Sequence, residues 1–439
     1  MKTVNHTPPN GGGVSEFHLC NHPAKFVNCD LHIHSRFSGG TSDKMTVEML
    51  SREAPKKGIG LIASGDCLHG KWFSEVTACE EVVPGTYELG GTRFILSAEV
   101  EAEKRTHHLL YFPHADAAME FKEMARPFSP NLETDGRPNV NLSGEKIAEM
   151  AERVGALIGP AHAFTPWTSL YGAFDSLSGC YGGMADYVSL LELGLSADSD
   201  YADRIEEIRR LTFLTNSDCH SPYPLRLARE FNRMGLREAS FESVKNAILR
   251  KGDERIILNV GLPPQEGKYN ESACTVCFKH YNLIEAVMRK WRCTCGRIIK
   301  KGVRDRVEEL ATHPYPPAHP DYRPPYVHII PLAEIIRAAF GLSSTYSKKV
   351  GEEWERLVYR FGNEVEVLVD AQIETIAEVA SPKVAHAITA FRQNRVILHP
   401  GGGGDYGRVE IPENLDDIPT PHRFGSGHAG AQKSLVDYD

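Results

Sequence analysis

Cys29-Asp30-Leu31-His32-Ile33-His34-Ser35 closes the apolar run 26–31 and sets two histidines two residues apart at the end of an expected strand. Residues i and i+2 of a strand project to one face, so both imidazoles can reach a single cation. The spacing alone decides little, because 19 histidines in 439 residues make one such pair close to a chance event. Recurrence decides more. Asp66 and His69 follow the run 59–63, Glu99 follows 94–96, and His107 and His108 head the stretch HHLLYF. His162 follows 156–158, and Asp218 with His220 follows 211–214 as a second i, i+2 pair.

Amphipathic stretches at 47–57, 144–153, 202–210 and 241–250 read as helices among these runs and a further one at 187–191. Seven strand signals alternating with helices favour a parallel sheet or a (β/α) barrel. Strand C-termini converge on one rim of such a barrel, so ligand types repeated at strand ends imply one site. Histidine nitrogens with carboxylate oxygens suit Zn²⁺, Mn²⁺ or Fe²⁺, and a carboxylate such as Glu99 can bridge two ions. Two neighbouring cations lower the pKa of water and neutralise charge on a phosphate ester, so the expected reaction is hydrolytic phosphoryl transfer.

CDLHIHSRFSGG, IASGDCLH, SAEVE with HHLL, GPAHAF and NSDCHSP resemble, in this order over about 26–225, the successive motifs of the PHP (polymerase and histidinol phosphatase) metallohydrolases. The resemblance implies a distorted seven-stranded (β/α) barrel with two or three metals. It implies one ion held by His32, His34, Glu99 and Asp218, and a second by Glu99, His162 and either His107 or His108. His220 would serve a third ion. This chain has Asp66-Cys67, with His69 two residues on, where many members have Asp-His. A third ion would therefore use Asp66 with Cys67 or His69 as substitutes, or the site holds fewer ions. Asp218, Glu99 and His34 are the expected catalytic residues.

Four of the ten cysteines form a second pattern, Cys274-x-x-Cys277 and Cys293-x-Cys295. Two such turns can close a tetrahedral four-sulfur shell around Zn²⁺, which leaves no open position and so reads as structural. From Lys279 to Glu309 nine Lys/Arg stand against four Asp/Glu, a local basic face in a chain of net charge −9. Tyr281, Trp291, Tyr322 and Tyr326 add aromatic rings suited to stacking unpaired bases or to core packing. Gly401 to Gly404 lets backbone approach closely to a phosphate or base, or forms a flexible turn.

A PHP barrel joined to this cysteine pattern, then RPPY, YSKKVGEEWERL and PGGGGDYG, resembles the endonuclease Q family over about 26–412. The resemblance implies incision of DNA 5′ to uracil, hypoxanthine, xanthine and abasic sites, leaving 3′-hydroxyl and 5′-phosphate ends. It implies Zn²⁺ in the sulfur site and in the catalytic site, with Mg²⁺ or Mn²⁺ as alternatives in the latter. It also makes a DNA sliding clamp a partner to test. The expected fold is α/β: a flexible tail 1–23, a PHP barrel 24–262, a zinc-binding module 263–310, a mainly helical DNA- and lesion-binding domain 311–415 and a polar tail 416–439. A small-molecule phosphatase of the histidinol phosphatase type is the main rival, and a non-catalytic DNA-binding protein is another. No GxxxxGK[ST] is present for an ATP-driven motor. The opening MKTVNHTPPNGGG lacks a signal peptide's apolar segment, and no stretch approaches the ~20 apolar residues of a membrane span. A cytoplasmic, nucleoid-associated location without membrane contact is expected.

Overall fold

The computed structural model describes residues 25–417, so the tail 1–23 and most of 416–439 lie outside the described residues. Among the described residues twelve strands precede the cysteine region: β1 (Lys25–Asp30), β2 (Leu61–Ala63), β3 (Glu80–Val83), β4 (Thr86–Leu89), β5 (Thr92–Ile95), β6 (Ser97–Glu101), β7 (His107–Tyr111), β8 (Leu157–Pro160), β9 (Leu190–Glu192), β10 (Thr212–Leu214), β11 (Phe231–Leu236) and β12 (Arg255–Gly261). β1, β2 and β5 are parallel neighbours, β6–β7–β8 form an antiparallel sheet, and β9 runs parallel to β10. Backbone bonds link the sets in turn. Phe112 N donates to Leu96 O at 2.9 Å, Ala163 N to Glu192 O at 2.8 Å, and His34 N to Cys219 O at 3.0 Å. Cys29, Leu61, Ile95, Leu109, Leu157, Leu190, Leu214 and Met234 meet in one buried cluster, which fills the middle of this ring.

The ring is mixed rather than parallel, which corrects the all-parallel alternative. Only 102–106 connects β6 to β7, and so short a link joins antiparallel strands. β1 also pairs antiparallel with β11, and β11 with β12. Neither strand is among the seven expected, although β12 carries the apolar run 256–258; in β11 polar residues interrupt the pattern. In β11, buried Asn232 donates to Thr215 O and Asn216 Oδ1 at 2.8 Å each. The helices at 47–57, 144–153 and 241–250 are present as Val47–Lys57, Gly144–Arg153 and Phe241–Leu249. The expected helix 202–210 is not formed. Two short turns, Ser199–Ala202 and Glu206–Ile208, stand there because a proline-rich strap, THPYPPAHPDYRPPYVH at 312–328, supplies tertiary partners for that backbone. Thr312 N donates to Arg204 O, and Arg323 bonds both the buried Asp203 carboxylate and Arg209 O.

In the cysteine module, β13 (Ala273–Cys274) pairs with β14 (Ile299–Lys300) beside a helix, Leu283–Met288, started by a reciprocal Asn282/Glu285 cap. The strap ends in β15 (Tyr326–His328), which adds parallel to β12 and completes an eight-stranded sheet. Helices Leu332–Ala339, Lys348–Phe361, Ile373–Val379 and Pro382–Arg392 follow, then the hairpin of β16 (Ile397–His399) and β17 (Arg408–Glu410). The glycine run packs against the protein's own backbone. A Cβ on Gly403, at φ +67°, would lie 2.3 Å from Cys274 O, and Gly401 O accepts from Glu271 N.

The helical region is pinned to the barrel through one buried carboxylate. Glu364 accepts from Lys57 Nζ at 2.6 Å, Leu332 N at 3.1 Å and Trp354 Nε1 at 2.7 Å. Glu364→Ala is expected to cost about 3–5 kcal/mol by stranding the buried Lys57 ammonium. Denaturant unfolding of the variant measures it, and a loss below about 1 kcal/mol would contradict this role.

Candidate metal centre

Past the end of β1, His32 and His34 turn the same way and meet acids from β6 and from the loop after β10. Glu99 sits between two groups. Its Oε1 is 2.8 Å from His107 Nδ1 and 2.9 Å from His162 Nε2, while its Oε2 is 3.1 Å from His34 Nε2 and 3.7 Å from His32 Nε2. Asp218 Oδ1 lies 3.3 Å from His34 Nε2 and 3.7 Å from His32 Nε2. Three sets of ligand atoms therefore crowd together: His32, His34 and Glu99; Glu99, His107 and His162; and His34, Asp218 and His220.

Carboxylates fix the ring orientations, two of them buried and Glu101 partly so. Glu192 holds His32 Nδ1 at 3.0 Å, Asp66 holds His34 Nδ1 at 3.0 Å, and Glu101 holds His107 Nε2 at 3.1 Å. Each of these rings thus presents its other nitrogen to the cluster, the arrangement that orients metal-ligating histidines. His32 Nε2, His34 Nε2 and Asp218 Oδ1 are buried without hydrogen-bond partners. Buried polar atoms rarely remain unsatisfied, and three of them facing one another fit a cation. Backbone strain accompanies the geometry. Asp66, His162 and Asp218 have φ of +49°, +28° and +45°. Such angles in residues other than glycine cost energy that surrounding structure must hold in place, and they concentrate at functional sites.

Electrostatics agree. Burial alone would raise Glu99, yet His107 and His32 hold it well below the usual carboxylate range. Burial likewise opposes ionisation of Asp218, but His32 and His34 keep it depressed. Burial lowers His32 and His34, but the acids around them raise both well above ordinary values. The acids stay ionised and demand positive charge.

The structure separates the two adjacent histidines. In the β6–β7 register Glu101 pairs with His107 and Val100 with His108, so alternation sends His107 into the cluster and His108 away. Thr106 Oγ1 donates to Glu103 O, so it accepts from His108 Nε2–H, and His108 Nδ1 accepts from the Tyr181 hydroxyl at 2.6 Å. Burial pushes His108 down to about 3, and it is neutral. His107→Ala is expected to lower bound metal at the centre, whereas His108→Ala keeps the metal and loses about 1–3 kcal/mol of stability. Elemental analysis and thermal unfolding of both variants check this; equal metal loss in the two would contradict the assignment.

Asp66 and His69 lie outside these three sets. Both Asp66 oxygens are committed: Oδ1 to His34, and Oδ2 to Ser35 N, Ser35 Oγ and Ser38 Oγ. His69 stacks on Phe37 with centroids 4.3 Å apart. Cys67 is a buried thiol raised well above its usual value by burial. Glu192 and Arg137 were not among the expected residues. Glu192 ends β9 and so obeys the strand-end rule, but Arg137 lies in a loop with no pattern to mark it.

Cys274, Cys277, Cys293 and Cys295 form the fourth candidate group, with Sγ–Sγ distances of 3.5 Å for 274–295 and for 277–293. The Tyr281 hydroxyl donates to Cys293 Sγ at 3.1 Å and pulls that thiol down to about 5. Tyr281 is thereby a buried part of the module rather than a stacking platform, and Tyr326 is sequestered in β15. Apart from Lys300, which donates to Pro166 O, the basic run divides in two. Lys301, Arg304 and Arg306 pair with Glu309, Glu271 and Asp175, whereas Lys279, Arg289, Lys290, Arg292 and Arg297 are exposed and form no ion pair among the described residues. Among the described residues no helix is long and apolar enough to cross a membrane.

Comparison with known proteins follows these features. A family model described as the MJ0043 C-terminal domain matches residues 331–395. The uncharacterized protein MJ0043 of Methanocaldococcus jannaschii is 46% identical over 262 residues, 58% of this chain, and the chain spans only 32% of that protein. The uncharacterized protein YqxK of Bacillus subtilis is 32% identical over 419 residues, covering 88% of this chain and 100% of YqxK. The crystal structure of the lesion-specific endonuclease PfuEndoQ from Pyrococcus furiosus matches at 47% identity and a TM-score of 0.86, over 90% of this chain and 97% of that one. Endonuclease Q in complex with a 27-mer duplex substrate carrying an abasic lesion at its active site matches at 47% identity and a TM-score of 0.84, over 89% and 98%.

Proposed function

Since the chain belongs to the endonuclease Q family, we propose that it is a metal-dependent DNA-repair endonuclease that cuts the phosphodiester 5′ to deaminated bases and abasic sites. The observation that carries this reading is Glu99, whose two oxygens face two separate sets of histidines at 2.8–3.7 Å. His32, His34, Glu99 and Asp218 would hold one ion, and Glu99, His107 and His162 a second; His220 stands beside Asp218 for a third. Zn²⁺, Mg²⁺ or Mn²⁺ suits these nitrogen and oxygen donors, while the four sulfurs select Zn²⁺ in a closed, structural shell. Divalent cations bound at the centre lower the pKa of water and neutralise charge developing on phosphoryl oxygens.

The chain's own residues position the reaction. Glu192, Asp66 and Glu101 lock the three rings, so the ligand set is already arranged when the phosphate arrives. Water adds to phosphorus, the P–O3′ bond breaks, and the departing oxygen takes the proton to become the 3′-hydroxyl while the 5′-phosphate stays on the lesion. Extruding a base from the duplex costs a few kcal/mol, least where pairing is already weak. Deamination replaces an amino donor with a carbonyl acceptor beside a ring N–H, a difference that a polar pocket can read.

A labelled duplex with one dU tests the proposal, run with an abasic and an undamaged duplex and with p-nitrophenyl phosphate under Mn²⁺, Mg²⁺ or Zn²⁺. The expected result is a single nick 5′ to the lesion and none in the undamaged strand. Hydrolysis of the small ester without any nick would instead favour a phosphatase.

A further inference from the structure

We propose that Arg137 is a catalytic residue of this centre, the cation that grips the non-bridging oxygens of the scissile phosphate. The inference rests on reading the site as a phosphodiesterase. Arg137 Nη1 lies 3.3 Å from Glu99 Oε2, the same oxygen that faces His34. Among the described residues, no other lysine or arginine forms an ion pair with Glu99, Asp218 or the cluster histidines. Two nearby cations are paired elsewhere, Arg36 with Glu75 and Lys122 with Glu133, and Arg229, bonded through Nε to Ser217 O, forms no ion pair with the centre among the described residues.

The loop that carries Arg137 is held on both sides of it. Gly136 N donates to Phe37 O at 3.0 Å, and a Cβ on Gly136 would lie 2.3 Å from Asp66 Oδ2 and 2.5 Å from Ser38 Oγ. Only glycine lets the backbone come so close to the acid that orients His34. On the other side Asn139 Nδ2 donates to Glu101 Oε1 at 2.9 Å and Val140 N to Glu101 O at 2.7 Å. Both flanks thus rest on the carboxylates that orient His34 and His107, so the guanidinium is registered to the centre itself.

The side chain is 31% exposed and Glu99 is its one side-chain partner among the described residues. A guanidinium has five N–H donors in a planar fork, so most remain for a ligand entering from solvent. That fork matches two phosphate oxygens with parallel N–H···O bonds, whereas a lysine ammonium acts as a point charge. The bland alternative is that Arg137 only balances the charge of Glu99.

Three measurements on the metal-loaded full chain separate these: bound metal per chain, binding of inorganic phosphate by calorimetry, and kcat with KM on the dU duplex. Arg137→Ala is expected to keep the metal count, weaken phosphate binding at least tenfold and lower kcat by about 10²–10³-fold. Arg137→Lys is expected to recover only a small part of both losses. Phosphate binding and kcat within twofold of the wild type in Arg137→Ala would overturn the proposal. Wild-type protein that binds phosphate through Arg137 yet nicks no duplex would remove the endonuclease reading and leave this one standing.

Discussion

Glu99→Gln is expected to lower incision of a dU duplex by at least about 10³-fold, equivalent to about 4 kcal/mol of transition-state stabilisation. Glutamine keeps the shape of the side chain but removes the charge that His32, His34, His107 and His162 converge on. Among the described residues no other candidate ligand belongs to the sets on both sides of the centre through separate oxygens. Asp218→Asn is expected to hurt less, because His220 and the Glu99 sets remain. Binding of the same duplex, followed by fluorescence anisotropy, should change only a few-fold in Glu99→Gln, since the exposed cations of the cysteine module are untouched. Residual incision within tenfold of the wild type would mean that the two sets do not act together.

Replacing Cys274 and Cys293 together by serine is expected to unfold the cysteine module. Its own apolar cluster is Cys274, Tyr281, Ala286, Cys293 and Ile299, with half-buried Trp291 against it, and two of those five belong to the four-sulfur group itself. So small a core cannot offset the conformational entropy of ordering the module, and structural Zn²⁺ supplies about 10–16 kcal/mol in comparable peptides. The variant should lose one Zn²⁺ per chain and become open to protease between 275 and 298. It should also bind duplex at least about tenfold more weakly, because Lys279, Arg289, Lys290, Arg292 and Arg297 lose their common scaffold. Unchanged protease resistance and zinc content would exclude the sulfur shell.

How far the site could be read from sequence depended on how local each signal was. His32, His34, His162, Asp218 and His220 lie past strand ends, where a period of two or a following turn marks them within a few residues, and Glu99, mid-way along β6, follows closely on the end of β5. Choosing between His107 and His108 required the register of β6 against β7, a pairing set by the tertiary fold. Asp66 looked like a ligand because it stands where ligands stand, but only the positions of Ser35 and Ser38 reveal that its oxygens are already committed. Arg137 was invisible, since its meaning comes from a loop held by Gly136 and Asn139 against distant strands. The fold shows the same division. Helices with clear periodicity, such as Gly144–Arg153, were legible, while β11 was hidden by Asn232 and Arg233, which serve buried or interdomain hydrogen bonds.

Anomalous scattering from crystals of the chain equilibrated with Mn²⁺ tests the central claim most directly. The account predicts one peak within coordination distance of His32, His34, Glu99 and Asp218 and a second shared by Glu99, His107 and His162, at about 2.0–2.3 Å from the donor atoms. Crystals that bind Mn²⁺ elsewhere, with no peak touching Glu99, would contradict it.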